Sequence, residues 1–172
     1  MNRLAYFSLG SNLGDRKRNL ERARELMASG MGTVETLSGY YVSPPWGYAS
    51  ENDFYNYCLA MKTELDPMAL LEAALGVEVE MGRVRQGETR MEKERGYQDR
   101  IIDIDLLMVD DLIMDHPHLV LPHPGMQGRR FVLAPMAEIA PDLVHPVSGI
   151  TIAGLLERCP DPSNVIPVTL DD

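Results

Sequence analysis

The sequence contains few cysteines, few aromatic residues and no long apolar run, and each shortage excludes a class of protein. Its two cysteines, Cys58 and Cys159, fit a reduced, cytoplasmic protein better than a disulfide framework or a metal site. No run approaches the roughly 20 apolar residues that a membrane span needs, and no signal-peptide pattern follows Met1. We therefore expect a cytoplasmic protein that does not associate with membranes.

Basic residues are also scarce, because 16 Lys and Arg stand against 26 Asp and Glu, and the formal net charge is −10. This balance argues against a general nucleic-acid binder, which needs basic residues to neutralise phosphates. An acidic protein that binds a polyphosphate needs a metal ion and a local cationic cluster, and such a cluster lies between Arg83 and Arg100. The length of 172 residues indicates a single domain over residues 1–172.

The stretch DRIIDIDLLMV, residues 99–109, predicts a strand because aliphatic and β-branched residues dominate it and neither Gly nor Pro interrupts it. Side chains alternate between the two faces of a strand. Ile102 and Ile104 therefore share one face of the strand. Asp103 and Asp105 share the other face, with their backbones roughly 6.6 Å apart.

Two carboxylates this close repel each other and lose hydration, so we expect a cation between them. The near candidates are Arg100 and a divalent metal ion. Carboxylates on a rigid strand suit Mg²⁺, which takes one or two protein carboxylates together with phosphate oxygens. The alternative is a solvent-facing strand with an Arg–Asp pair, which a bare Asp-x-Asp would favour. The longer pattern, with Arg100 before alternating aliphatic and acidic residues, favours a Mg–nucleotide site.

The order of the predicted elements is strand, helix, strand, strand, helix, strand, over residues 4–9, 15–28, 33–42, 54–63, 66–79 and 101–109. This order predicts an α+β protein with a ferredoxin-like βαββαβ core, in which two helices pack on one face of an antiparallel sheet. Residues 112–114 indicate a short edge strand, and residues 129–138 and 150–158 add C-terminal helices. The tail beyond them is polar, and we expect it to be loosely held.

Three further groups of residues admit a bland and a functional interpretation. The polar loop over residues 83–98 is either solvated charge or a lid whose arginines close over phosphates. His116, His118 and His123 could form a zinc site, but no cysteine lies near them to complete it. Two other interpretations are therefore favoured: loop histidines that bind phosphate, or ordinary surface histidines. The few large aromatic side chains are either core residues or the walls of a site for a planar heterocycle.

These motifs together resemble the 6-hydroxymethyl-7,8-dihydropterin pyrophosphokinase family of folate biosynthesis. The similarity extends from about Leu4 to Pro146, which is nearly the whole chain. The motifs that carry it are LGSNLG from residue 9, SPP from residue 43, GRVR from residue 82, DRIIDIDLL from residue 99, LPHP from residue 121 and RRF from residue 129. Their order and spacing make a chance match improbable.

The resemblance implies an enzyme that transfers pyrophosphate from ATP to the hydroxymethyl oxygen of the pterin and releases AMP. Attack would occur at the β-phosphorus, and two Mg²⁺ ions would be held by Asp103 and Asp105. Catalysis would depend on these aspartates and on the loop arginines, Arg83 and Arg85. The residues that would bind ATP are Glu78, Arg100, His123 and Arg129. The residues that would bind the pterin are Ser43, Pro44, Trp46, Phe54, Asn56 and Phe131.

Two positions depart from the family pattern. Leu75 stands where the family often has glutamine, and Pro124 stands where it often has an aromatic residue, so the adenine contacts stay open. Two other classes of function also stay open on the sequence. One is a non-catalytic ferredoxin-like module that binds a ligand or regulates, and the other is a metal-dependent nuclease or phosphohydrolase. We expect a monomer with no nucleic-acid or membrane partner.

Overall fold

The computed structural model describes residues 2–83 and 99–170 of the chain. The strands are β1 (Arg3–Ser11), β2 (Thr33–Leu37), β3 (Tyr40–Ser43), β4 (Phe54–Thr63), β5 (Asp103–Val109), β6 (Met114–His116), β7 (Leu119–Leu121) and β8 (Ile166–Val168). The helices are α1 (Arg16–Gly30), α2 (Pro67–Glu80), α3 (Arg130–Ile139) and α4 (Ile152–Glu157). A 3₁₀ turn, Met126–Gly128, precedes α3.

The main sheet is antiparallel and has the spatial order β5-β1-β4-β3-β8, with β2 beside β3 along the same edge of β4. When β2 and β3 are counted as one strand position, this is the order of a ferredoxin-like βαββαβ core. The predicted fold class is therefore confirmed. The hairpin of β6 and β7 forms a separate, two-stranded sheet.

Both helices of the βαββαβ core begin where the sequence predicts. The carboxylates of Asp15 and Asp66 each accept a hydrogen bond from the backbone N–H three residues later, at 3.1 and 2.8 Å. Each side chain thereby pairs one of the N–H groups that a helix start leaves without a partner. Pro67 occupies the first turn of α2, where its missing N–H costs nothing.

The two faces of the main sheet carry separate hydrophobic cores. Helices α1 and α2 pack on one face, where Leu20, Met27 and Leu70 are fully buried. Helices α3 and α4 pack on the other face, where Met136 and Ile152 are fully buried. The predicted C-terminal helices therefore cover the face that α1 and α2 leave open, and the protein has three layers.

Strand β5 alternates as predicted. Leu106 belongs to the core under α1 and α2, while Asp103 and Asp105 face the α3–α4 side. A β-bulge against β1 follows, and it turns both Leu107 and Met108 toward the α3–α4 core. The carboxylates thus lie on the face that the C-terminal helices cover.

Three predicted segments differ from the structure. The strand over residues 33–42 is divided into β2 and β3, and between them the Gly39 N–H donates a hydrogen bond to the Glu138 carboxylate on α3 at 2.5 Å. Residues 114–121 form a hairpin instead of a single edge strand over residues 112–114. The tail is not loosely held, because β8 pairs with β3. No helix in the described part of the chain is long and apolar enough to span a membrane.

Candidate active site

An open pocket lies on the α3–α4 face of the sheet, where the ends of β1, β3, β4 and β5 meet the first turn of α3. The space inside it, with the open mouth included, is about 500 Å³. The residues that line it are Ser8, Gly10, Ser43, Pro44, Trp46, Tyr48, Phe54, Asn56, Arg100, Asp103, Asp105, Arg129 and Phe131. The structure therefore brings together all six predicted pterin-binding residues, both predicted metal ligands and two of the predicted ATP-binding residues.

The floor of the pocket depends on strand register. Gly10 of β1 lies between Asn56 of β4 and Asp103 of β5. A Cβ atom at Gly10 would be 2.8 Å from Asn56 Oδ1, so only glycine leaves room for this amide. The amide is buried, and its Nδ2 donates a hydrogen bond to Ser43 Oγ at 2.7 Å. Asn56 therefore presents a fixed polar edge inside the pocket.

Aromatic side chains form the walls of the pocket. Phe54 projects from the first position of β4, and Phe131 comes from the first turn of α3. Trp46, in the segment between β3 and β4, lies under the Arg129 guanidinium, whose Cζ atom is 4.7 Å from the ring centroid. This distance is within the range of a cation–π interaction. These walls offer flat apolar faces to a planar ligand.

At the acidic end of the pocket, which is formed by Asp103 and Asp105, the two carboxylates have different environments. Asp103 Oδ1 pairs with Arg83 Nη1 at 2.8 Å and with Arg100 Nη1 at 3.2 Å. Burial raises the pKa of Asp105 to about 7, and the negative charge of Asp103 adds to the increase, although Arg129 opposes it. Ionised Asp105 therefore needs more positive charge than the neighbouring arginines supply. A bound divalent cation would provide that charge.

Arg83 and Glu78 lie behind the acidic end and do not line the pocket. Arg83 Nη1 is 2.7 Å from Glu78 Oε2 and 2.8 Å from Asp103 Oδ1. Glu78 is 1% exposed, and its Oε2 also accepts a hydrogen bond from the Ile104 N–H at 2.9 Å. The predicted ATP-binding residue Glu78 therefore does not line the pocket, and its carboxylate joins α2 to β5. Arg85 lies outside the described residues.

His123 lies close to the acidic end, apart from the other loop histidines. Its Nδ1 accepts a hydrogen bond from the Gly125 N–H at 3.1 Å. Burial and the positive charge of Arg129 lower the pKa of His123 to about 4, so the ring is neutral and its Nε2 carries the proton. His116 and His118 lie on the β6–β7 hairpin with ring centroids 5.7 Å apart. Residues 2–83 and 99–170 contain no cluster of three or more His, Cys, Asp or Glu suited to a metal ion.

Sequence reasoning missed three lining residues, Ser8, Gly10 and Tyr48. Ser8 and Gly10 alternate along β1, so period-two patterning places them on one face. Only the pairing of Ser8 with Asp105 shows that this face belongs to the pocket. Tyr48 lies outside any strand or helix, and no local pattern marks it.

A pocket that joins aromatic walls to paired carboxylates and arginines suits an enzyme that transfers a phosphoryl group, because such a transfer depends on positioning and charge neutralisation. Comparison with known proteins narrows this class. The model of the family 7,8-dihydro-6-hydroxymethylpterin-pyrophosphokinase (HPPK) matches residues 6–141. That match includes every residue that lines the pocket.

Curated relatives agree with the family match. The 2-amino-4-hydroxy-6-hydroxymethyldihydropteridine pyrophosphokinase of Methylorubrum extorquens is 42% identical over 162 residues, which are 94% of this chain and 96% of the relative. The enzyme of the same name from Bacillus subtilis is 39% identical over 140 residues, which are 81% of this chain and 79% of the relative. The chain therefore belongs to the HPPK family, and a non-catalytic binding module is not favoured.

Solved structures of HPPK-DHPS share the fold. One, in complex with substrates, has a TM-score of 0.73 and 13% identity over 91% of this chain. The wild-type protein of Plasmodium falciparum with pteroate has a TM-score of 0.71 and 14% identity over 92% of this chain. The chain spans 43% and 44% of those two chains, which are about twice as long. At this identity, the likeness supports the fold alone.

Proposed function

We propose that the protein carries out its family's reaction in this pocket, with the residue roles and the metal given below. The reaction transfers pyrophosphate from ATP to the hydroxymethyl group of 6-hydroxymethyl-7,8-dihydropterin, in folate biosynthesis. The observation that carries the assignment to this pocket is the junction of an aromatic-walled cleft with a pair of carboxylates on β5. We also propose that the protein acts as a single-domain, cytoplasmic monomer without nucleic-acid or membrane partners.

The aromatic end of the pocket is the proposed pterin site. Phe54 and Phe131 offer the two faces between which a planar ring stacks, and Asn56 offers an amide to its polar edge. Ser43 orients that amide through the hydrogen bond at 2.7 Å. Pro44 and Trp46 complete the wall beside the opening. This arrangement would place the hydroxymethyl group toward the aspartates.

The acidic end is the proposed magnesium and phosphate site. Asp103 and Asp105 fit Mg²⁺, which binds oxygen ligands and needs few from the protein when phosphates supply the rest. The family resemblance suggests two ions. When bound, Mg²⁺ would neutralise phosphate charge and orient the attacking and leaving oxygens. The raised pKa of Asp105 supports this role, because a carboxylate short of positive charge gains most from a cation.

The arginines are proposed to bind and neutralise the triphosphate. Arg100 and Arg129 line the pocket and offer planar donors suited to phosphate oxygens. Neutral His123 can donate from Nε2 to another oxygen. Arg83 would orient Asp103, with which it already pairs, and the resemblance suggests Arg85 for the transition state. Glu78 would act through Arg83 and not through the nucleotide.

The proposed step is direct displacement. The hydroxymethyl oxygen bonds to the β-phosphorus of ATP, the bond from that phosphorus to the bridging α–β oxygen breaks, and the electron pair leaves with AMP. The hydroxyl proton is released to solvent. Such a transfer depends on positioning and charge neutralisation more than on a covalent intermediate. The walls and the amide of Asn56 position the acceptor, while the arginines position the donor.

The proposal is tested by product analysis and calorimetry. Incubation with ATP and the hydroxymethyl-dihydropterin should release AMP, and ADP in its place would reject pyrophosphate transfer. A non-hydrolysable ATP analogue should bind in the presence of Mg²⁺ and at least tenfold more weakly without it, on the order of one lost charge-assisted contact. Equal binding with and without Mg²⁺ would reject the magnesium assignment.

Asp105→Asn tests the metal ligand directly. The change keeps the side-chain shape but removes the charge, so turnover should fall at least about 100-fold with little change in the thermal midpoint. Asp115→Asn, at an exposed position of β6, is the matched control and should retain normal turnover. Normal turnover of Asp105→Asn would mean that the metal is held elsewhere.

A further inference from the structure

Asp99 is a heavily hydrogen-bonded side chain beside the pocket, although it does not line the pocket. Its carboxylate accepts hydrogen bonds from Asn12 Nδ2 at 2.8 Å, Tyr48 OH at 3.0 Å, Ser50 Oγ at 3.1 Å and Asn52 Nδ2 at 2.8 Å. Burial alone would raise its pKa, but these bonds outweigh it and lower the pKa below the usual value. The carboxylate is therefore held in its ionised form.

Three of these donors belong to the segment between β3 and β4, residues 44–53, which we call the wall segment. Its residues lie outside any strand or helix, so they lack a backbone ladder of their own. Yet the wall segment supplies Trp46 and Tyr48 to the pocket lining. Hydrogen bonds to one partly exposed carboxylate thus hold a wall that lacks secondary structure. Such preorganisation lowers the entropic cost of ligand binding.

The other connection of Asp99 leads to the acidic end of the pocket. Asn12, which donates a hydrogen bond to Asp99, also makes hydrogen bonds with both the N–H and the carbonyl of the next residue, Arg100. Asn12 Oδ1 accepts a hydrogen bond from the Arg100 N–H at 2.6 Å, and the Asn12 N–H donates to the Arg100 carbonyl at 3.0 Å. The Arg100 side chain in turn pairs with Asp103 at 3.2 Å. One network therefore connects the wall segment to the phosphate end.

We propose that Asp99 is a positioning residue for transfer to the pterin. Asp99 shapes the wall of the acceptor site through its hydrogen bonds with Tyr48, Ser50 and Asn52. Through Asn12 it also fixes the position of that wall relative to Arg100. This role rests on the proposed assignment of the pterin to the aromatic end. Asp99 itself touches neither substrate. Its effect is on acceptor affinity, because the wall segment contacts the acceptor while the backbone of Arg100 stays held by Asn12.

The first test is Asp99→Asn, compared with Glu51→Gln as a control. An amide has one acceptor oxygen, so the asparagine cannot accept from both Asn12 Nδ2 and Asn52 Nδ2, which bind different oxygens of Asp99. Glu51 is an exposed carboxylate in the same segment, so its change removes the same charge without touching the network. We expect Asp99→Asn to raise the KM for the pterin about tenfold, with the KM for ATP changed less than about twofold. The control should match the wild type.

A second variant removes hydrogen-bond donors to Asp99 instead of changing Asp99 itself. The double change Ser50→Ala with Asn52→Ala removes both donors to Asp99 Oδ2, and neither residue lines the pocket. It should reproduce the rise in pterin KM. Combining it with Asp99→Asn should add little further, because both changes release the same contacts. If Asp99→Asn does not fold, this variant decides the question.

Trp46 gives a readout that is independent of turnover, because it is the single tryptophan of the chain and lies on the wall segment. Release of the segment should shift its emission to longer wavelength and increase its quenching by acrylamide in the free protein. A fall in the thermal midpoint with unchanged emission and unchanged pterin KM would overturn the proposal, since Asp99 would then be structural only. If the wild type releases no AMP, the proposed function fails, while the emission still tests the network.

Discussion

Gly10 shows how much a single position on the floor of the pocket decides. Its missing side chain leaves the space into which the Asn56 amide and the Phe54 ring fit, since a Cβ atom would lie 2.8 Å from Oδ1 and 3.3 Å from Cδ1. Backbone conformation does not require glycine here, because Gly10 lies in a regular strand. The requirement comes from the packing of two side chains that we assign to the pterin site.

Gly10→Ala should therefore raise the KM for the pterin at least about tenfold and lower the free energy of unfolding by about 1–3 kcal/mol, because one of the two side chains must move. Steady-state kinetics and urea unfolding measure these effects. Gly76→Ala is the control, since a Cβ at this exposed helix position meets no atom within 4 Å. It should stabilise the protein by about 0.5–1 kcal/mol. An unchanged pterin KM in Gly10→Ala would contradict the assigned floor.

His145 is a buried histidine that stabilises a turn. It is 2% exposed, and its Nδ1 accepts hydrogen bonds from the Val147 and Ser148 N–H groups at 3.3 and 3.2 Å. Burial lowers its pKa, so the folded protein favours the neutral ring. The unfolded chain binds the proton below the ordinary histidine pKa of about 6.5. Stability from His145 is thus present above that pH and is lost as the pH falls through it.

His145→Asn keeps a side-chain acceptor but does not titrate. The wild type should be more stable than this variant at pH 8, and the difference in unfolding free energy should narrow as the pH is lowered to 5. Chemical denaturation at several pH values measures this difference, and His123 contributes equally to both proteins and cancels. A difference that stays constant with pH would show that His145 does not titrate on unfolding.

At the scale of elements, the contact between α2 and β5 holds the acidic end of the pocket in place. Glu78 of α2 accepts a hydrogen bond from the β5 backbone and pairs with Arg83, which in turn pairs with Asp103. The position of Asp103 therefore depends on the docking of a helix from the opposite face of the sheet. If Glu78 lay on the surface, the position of Asp103 would not depend on the docking of α2.

Glu78→Gln should lower the free energy of unfolding by about 1–3 kcal/mol, because it removes the more deeply buried of the two carboxylates that pair with Arg83. Glu72→Gln, at an exposed position of the same helix, should change it by less than about 0.5 kcal/mol. Denaturant unfolding compares the two variants. A stable Glu78→Gln protein with a raised KM for ATP would instead restore Glu78 as a nucleotide ligand.

Helix α3 depends on the tail in a similar way. Its preceding residue, Arg129, makes no side-chain cap, but Asp161 accepts a hydrogen bond from the Arg130 N–H at 3.0 Å. The Arg130 Nε atom donates back to the Asp161 carbonyl at 3.0 Å. The start of α3 carries Arg129 and Phe131 into the pocket, so the C-terminal segment helps to position both ends of the site.

At the scale of the whole molecule, one sheet supports two cores. Strands β1, β4 and β5 each contribute residues to the core under α1 and α2 and to the core under α3 and α4. Loss of either layer would expose apolar side chains of the shared strands to water. The two layers are therefore coupled through the sheet.

Thermal unfolding of residues 1–172 should accordingly be a single cooperative transition. The far-UV circular dichroism of the helices and the emission of Trp46 should have the same midpoint, and the calorimetric and van't Hoff enthalpies should agree. Two separated transitions would show that the C-terminal layer folds as its own unit. The single-domain assignment would then be wrong.

The sequence by itself determined the elements and the chemistry of their side chains. Alternation along residues 103–106 placed the aspartates on one face of β5, and Asp15 and Asp66 marked the helix starts, because these rules act over a few neighbouring residues. The family resemblance then singled out six residues as candidates for binding the pterin, and the structure brings all six into one pocket.

Only the tertiary structure decided which distant residues meet. It buried Glu78 behind β5, placed β8 on β3, put α3 and α4 on the second face and gathered Asn12, Tyr48, Ser50 and Asn52 around Asp99. These contacts join residues as far apart in sequence as Tyr40 and Val168, and they depend on strand order and register. Local patterns carry no information about either, because the same alternating segment can pair with any strand that presents a matching edge.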